Sequence, residues 1–324
     1  MVVIGKCCGD GVPQEQVSFM NTAPKISVVV CTYNRADYIT DAMNSLYAQS
    51  LDKSYYEVII VNNNSSDNTA AICENYISAH PDAQFYFINE PKQGASFARN
   101  TGAALSRSPL LCFMDDDAVA TPDYLERIVS FFNEHADAGG LGGKIIPRYI
   151  PAEPKWMSYY VSSLVGNFDY AQEVALFKPG KYPLESNMIV RKEDFVAVNG
   201  FNTALPGVAG TLRIGGEGKE FFFKLQAMGK PIYYDPAISV EHVVEVKKLT
   251  AEYMYRVASG IGRGEQVRVK AIGRMAYYNK IAEYFLKLGA SVILGIKYSL
   301  AGHPAKAWPV IRFRIDALKG LLGY

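Results

Sequence analysis

The chain has 324 residues, 49% of them hydrophobic and 20% charged, which supplies enough apolar side chain for a large buried core and excludes an intrinsically disordered protein. Its formal net charge of +1 conceals an uneven distribution: residues 247–324 carry 14 Lys/Arg against 4 Asp/Glu, a balance of +10, which leaves −9 for residues 1–246. Two regions with different partners are therefore expected, and nucleic acid is not among them.

Five cysteines (Cys7, Cys8, Cys31, Cys73 and Cys112) lack the spacing of a zinc site or of a secreted disulfide framework, which predicts a reducing compartment. The opening MVVIGKCCGDGVPQEQ lacks the apolar run of a signal peptide, and residues 1–23 read as a flexible leader outside the fold. From there apolar runs alternate with amphipathic stretches. Residues 26–31 (ISVVVC) predict a strand, and 38–50 a helix with Ile39, Ala42, Met43, Leu46 and Tyr47 on one face and Asp37 as its N-cap. Strand 58–61, helix 69–79, strand 84–88, helix 96–106 and strand 110–114 follow, and a further helix opens at Pro122. Val- and Ile-rich strands alternating with helices predict an α/β fold, a mostly parallel sheet covered on both faces.

Ligands of such sheets bind beyond the C-terminal ends of the strands, and the polar clusters fall there. Thr32-Tyr33-Asn34-Arg35 follows the first strand, the run from Asn62 to Asp67 the second, and Asp115-Asp116-Asp117 the fourth. Any one of these is ordinary turn chemistry; three on one sheet edge point to a site. Three consecutive carboxylates raise one another's pKa, and a divalent cation, Mg or Mn, would relieve the repulsion. Asp115 and Asp117 are expected to serve a ribose and a metal-bound diphosphate. Asp116 is grouped with the nucleotide side, although alternation points it elsewhere.

The ordered series SVVVCTYNR, EVIIVNNNSSDNT, EPKQGASFARNTG, LLCFMDDDAVATPDYL, NGF, GGEGKEFFFKL and PAISVEHVV, spread over residues 25–245, resembles the family 2 glycosyltransferases, which have the GT-A fold. The resemblance implies a catalytic domain over residues 24–246, with a nucleotide-binding half (24–125) and an acceptor half (126–246). It implies that Thr32, Tyr33, Asn34 and Asn63 hold base and ribose, that Arg99 and Asn100 approach or brace the nucleotide, and that Asp115, Asp117 and His242 bind the metal or the diphosphate. Lys92 would screen phosphate or lie in solvent. The catalytic base is Glu217 or Glu220, with Glu217 preferred at the Gly-rich entrance to its helix. Glu185-Ser186-Asn187 and Gly200-Phe201-Asn202 would line the acceptor side. Two departures stand out: Asn62-Asn63 replaces an acidic pair, and Gly218 replaces the second acid of the base motif.

Residues 247–324 lie outside the strong resemblance. Between residues 277 and 296, Tyr277, Ile281, Tyr284, Phe285, Leu288, Val292 and Ile296 form one helical stripe opposite Lys280, Glu283 and Lys287. Lys287 and Lys297 bracket an apolar stretch too short for a membrane span of about 20 residues, so residues 270–324 are expected to lie along an anionic membrane surface. Together these readings predict an inverting, metal-dependent transferase at the cytoplasmic membrane face. It would move a sugar from a nucleotide-diphosphate donor, UDP favoured, to a hydroxyl of a glycan or lipid-linked acceptor. A sugar nucleotidyltransferase, or an inactive GT-A-fold binding protein, is the alternative.

Overall fold

A computed structural model describes residues 23–209 and 212–324. Almost all of the expected leader, with Cys7 and Cys8, lies outside the described residues. In chain order the elements are β1 Ile26–Thr32, α1 Ile39–Tyr47, β2 Tyr56–Asn62, α2 Thr69–Ala79, β3 Phe85–Asn89, α3 Ala95–Leu105, β4 Leu110–Asp115, β5 Ala118–Ala120 and α4 Tyr124–Glu134. They continue with β6 Gly140–Tyr149, α5 Tyr159–Ser162, β7 Ala175–Leu176, β8 Asn187–Arg191, α6 Lys192–Ala197, β9 Gly207–Ala209, β10 Leu212–Ile214, α7 Glu217–Ala227 and β11 Ile232–Val244. Three helices close the chain: α8 Ala251–Ile272, α9 Arg274–Leu300 and α10 Ala307–Leu322.

One sheet runs in the order β3-β2-β1-β4-β8-β6-β11-β5, with β7 added beside β11. The four strands expected from the Val/Ile runs pair in parallel, and β8 lies antiparallel between β4 and β6, which makes the sheet mixed. Both faces are covered. Val28 and Val30 of β1 point to one face, against Ile39, Met43 and Leu46 of α1, and Val29 points to the other, against Ala98 of α3. That two-sided burial is why the strands read as unbroken apolar runs, each Val or Ile contributing roughly 1.5–3 kcal/mol by burial.

Several boundaries differ from the sequence reading. Asp37 does not cap α1; Tyr38 holds that position and makes no side-chain cap bond. The helix expected at Pro122 begins two residues later, after β5, a strand too short to show as a pattern. The 13-residue β11 carries His242 within it, two residues before its end. Its pairing with β6 skips from Asp235 to Ser239, an irregularity over residues 236–238 that shifts the register of the second half of the strand.

The expected stripe of α9 divides in two. Tyr284 is buried, and Tyr277, Ile281 and Leu288 pack with it against Ala317, Leu318 and Leu321 of α10. Phe285, Val292 and Ile296 remain 56%, 41% and 55% exposed. A further cluster joins α8 and α10 (Val257, Val310) to Met157, Val161 and Val244, so the basic tail is packed on the α/β unit.

Candidate active site

A cavity of about 510 Å³ opens at the carboxyl ends of β1 and β4. Of the residues predicted from sequence, Thr32, Tyr33, Asn63, Arg99, Asp115, Asp116, Asp117, Glu217 and His242 line it. Topology brings the last of these to the aspartates. Immediately after Asp117 the chain turns back as β5 and pairs antiparallel with β11, placing His242 opposite Ala118. The Val243 N–H then donates to the Asp117 carbonyl at 2.9 Å.

His242 Nε2 lies 3.0 Å from Asp117 Oδ1 and 3.9 Å from Asp115 Oδ2. Lys248, buried, donates to Asp117 Oδ2 at 2.6 Å and to the Val243 carbonyl at 2.7 Å. Arg35 reaches Asp117 at 3.2 Å and Asp116 at 3.4 Å. The chain thus sets cations of its own against the three carboxylates, beside the divalent cation expected to relieve their repulsion. Burial opposes the charge of Asp117, but His242, Lys248 and Arg35 together hold its pKa well below the ordinary carboxylate range. Asp116 takes the opposite course: burial, with the neighbouring Asp117 charge, pushes it up to about 7 despite Arg35.

One ligand atom each from Asp115, Asp117 and His242 lies within 4.8 Å of the other two. Two carboxylate oxygens and one imidazole nitrogen suit a divalent cation that completes its shell with water and phosphate oxygen, so the residues present fit the expected metal. Ser186 orients the first ligand, its hydroxyl donating to Asp115 Oδ2 at 2.5 Å. The Nδ1 of His242 is buried and has no hydrogen-bond partner among the described residues, which leaves Nε2 as the working nitrogen.

On the facing side, Glu217 begins α7 and accepts from Arg99 Nη1 at 3.1 Å, and Arg99 Nη2 reaches Asp115 Oδ1 at 3.7 Å. One guanidinium thus ties the acid–imidazole cluster to the carboxylate across the cavity. Glu185 stands beside them and accepts the Gly218 N–H at 3.0 Å, satisfying a free donor of the first turn of α7. This explains the second sequence departure. A Cβ at position 218 would lie 2.4 Å from Glu185 Oε1, so the place of an adjacent acid is taken by a carboxylate from another segment. Burial and the charge of Glu217 push Glu185 up to about 6, with Arg99 opposing. Glu220 is absent from the cavity wall and pairs with Lys224 at 3.1 Å.

Other predicted residues brace the wall. Asn34, at φ 54°, accepts from the Ser66 N–H at 2.7 Å and joins the turns after β1 and β2. Asn100 makes two 2.9 Å bonds to the backbone of Phe201, which is in the core, so Gly200-Phe201-Asn202 is packed under the site and does not line it. Of the other predicted acceptor segment, Glu185 and Ser186 line the cavity, whereas Asn187 is fully buried and accepts from the Tyr124 hydroxyl at 2.8 Å. Lys92 is exposed and off the cavity wall. Sequence reasoning missed Lys248, Tyr253, Val257, Ile261 and Glu265, which the tail contributes to the wall, and Arg35 as the partner of the aspartates. Lys248 carried no signal, since one lysine in a basic segment looks like any other.

A nucleotide-binding type of α/β sheet, with an acid–imidazole cluster at its carboxyl edge and a glutamate across the cavity, defines the GT-A class of fold. A mannosyltransferase from Pyrobaculum calidifontis, solved with GDP-Man and Mn2+, has that fold: TM-score 0.65, 18% identity, covering 94% of this chain and 88% of that one. The profile of glycosyl transferase family 2 matches residues 27–195, just over half of the chain, and the chain belongs to that family. Its relatives include the glucosyl-dolichyl phosphate glucuronosyltransferase of Haloferax volcanii, 27% identical over 55% of this chain and 56% of that protein. Another is the succinoglycan biosynthesis protein ExoM of Rhizobium meliloti, 24% identical over 80% of each. The chain thus spans only about half the length of the first of these relatives.

Proposed function

We propose that the chain transfers a sugar from a nucleotide-diphosphate donor, UDP favoured, to a hydroxyl of a glycan or lipid-linked acceptor, with inversion at the anomeric carbon. The observation that carries this reading is that the Asp115–Asp117–His242 cluster and Glu217 open on one cavity and are tied together by Arg99. Support comes from relatives whose names concern glucuronosyl transfer to a dolichyl-phosphate glycan and succinoglycan synthesis.

In this mechanism Thr32 and Tyr33 receive the nucleoside, and Asn63 keeps the 90–94 segment in place as the side of its pocket. Asp115, Asp117 and His242 would hold a divalent cation, which when bound neutralises charge on the diphosphate leaving group. Glu217 takes the acceptor proton as the acceptor oxygen bonds to the anomeric carbon and the bond to the diphosphate breaks. Such a base is worth roughly 100- to 10,000-fold in rate. Glu217→Gln should lower turnover by that order while the affinity for UDP and Mn2+, read by calorimetry, stays the same; undiminished turnover would remove the assignment. Glu185 is the second reading, favoured by a pKa of about 6, close to an operating pH. If Glu185→Gln and not Glu217→Gln abolishes transfer, the role belongs there.

Chelation gives an independent check. EDTA should stop transfer, and Mn2+ or Mg2+ should restore it; transfer indifferent to EDTA would exclude the metal. Among the described residues no helix is long and apolar enough to cross a membrane. The exposed side of α9, together with the basic balance of residues 247–324, supports peripheral contact with an anionic membrane at its cytoplasmic face.

A further inference from the structure

A second cavity, of about 250 Å³, lies between α9 and α10, with Ala290, Ile293, Leu294, Val310 and Phe313 among its walls. Lys287 and Arg314 line both this cavity and the active-site cavity, so the two adjoin through a pair of cations. Arg314 is half-buried, its guanidinium lies 4.4 Å from the ring centroid of Phe313, and it has neither a hydrogen bond nor a carboxylate in reach among the described residues. A guanidinium partly withdrawn from water without an anion is costly, and an anionic ligand would relieve that cost. Lys297, also on the wall, likewise has no anionic partner among the described residues, while Lys287 is paired on one side with Glu283. The cavity is therefore cationic where it meets the active site and apolar beyond.

Ile293 belongs at once to this cavity and to the outer face of α9. That face also carries Tyr278, Phe285, Leu286, Ile296 and Leu300, each more than half exposed, and the exposed Lys297 stands beside Ile293 and Leu300 at its edge. A second copy seated there would bring two regions of net +10 together, whereas an anionic lipid surface complements them.

We propose that the cavity between α9 and α10 is the binding site for the phosphate end of a lipid-linked acceptor. Arg314 and Lys287 bind the phosphate, the first part of the hydrocarbon chain lies against Ile293, Leu294, Val310 and Phe313, and the attached sugar passes between the two cations toward Glu217. This rests on the transferase reading above and narrows its acceptor to a lipid phosphate.

The test is calorimetry on the full chain with farnesyl phosphate, farnesol or inorganic phosphate as probe, in the presence of UDP and Mn2+ to occupy the donor side. Farnesyl phosphate should bind at least tenfold more tightly than either of the others. Arg314→Ala should weaken it at least tenfold. Ile293→Glu, at a position 59% exposed where the fold tolerates charge, should do the same without moving the thermal unfolding midpoint. Farnesyl phosphate binding no more tightly than farnesol, or equally well to both variants, overturns the site. Nucleotide binding is titrated separately on the same samples. A chain that takes UDP and Mn2+ but no lipid phosphate loses this site and keeps the transferase reading. One that takes lipid phosphate through Arg314 but no nucleoside diphosphate keeps the site and loses that reading.

Discussion

Asn63 shows how one atom decides a position. Its amide nitrogen donates to the carbonyls of Glu90 at 3.0 Å and Lys92 at 2.7 Å, and its oxygen accepts the Gly94 N–H at 2.7 Å. A carboxylate cannot donate, so the acid usual in the family could not make the first two bonds. The replacement of the acid therefore changes what holds the loop. Asn63→Asp should leave the carbonyls of Glu90 and Lys92 facing a carboxylate in place of a donor and destabilise the protein by about 1–3 kcal/mol in urea unfolding. Gly218 follows the same logic: Gly218→Asp would drive its Cβ into Glu185 and should depress turnover instead of restoring a family pattern.

Among the elements, the crossing of α8 and α10 governs the tail. A Cβ on Gly262 would lie 2.0 Å from the Ala317 carbonyl oxygen, and one on Gly320 would lie 1.9 Å from that of Ser259, so the two backbones are in direct contact. Gly262→Val should destabilise by about 1–3 kcal/mol or more through overpacking, seen as a lower thermal midpoint. The outer face of α9 makes the opposite prediction. Phe285→Glu with Leu286→Glu, both more than half exposed, should leave the midpoint unchanged and abolish co-sedimentation with anionic vesicles. Retained co-sedimentation would remove the membrane contact.

Across the whole molecule, Glu265 ties three helices into one body. Buried on α8, it pairs with Lys219 of α7 at 2.5 Å, with Arg268 at 2.9 Å and with Lys280 of α9 at 3.5 Å. Burial alone would raise its pKa, but the Arg268 hydrogen bond and the Lys219 charge bring it down to about 2 from the ordinary 4.5. A folded-state pKa below the unfolded one stabilises at pH above about 4.5, and that stabilisation disappears as pH falls toward 2. The span corresponds to on the order of 3 kcal/mol. Glu265→Gln should remove this acid-dependent component from a series of urea titrations and cost stability at neutral pH.

The alternation of Val/Ile runs with amphipathic stretches determined the α/β sheet, the first seven elements and the sheet edge that carries the site, because strand and helix periodicities are local properties of the chain. Quoted motifs likewise marked Asp115, Asp117, Glu217 and His242. Tertiary structure alone decided which cations answer the aspartates, since Arg35 and Lys248 reach Asp117 across 82 and 131 positions of sequence. It also decided that Glu185 fills the space left by Gly218, and that the basic tail forms part of the cavity wall. Burial and pairing of charge depend on what the fold brings alongside a side chain, and no window of neighbouring residues contains that information.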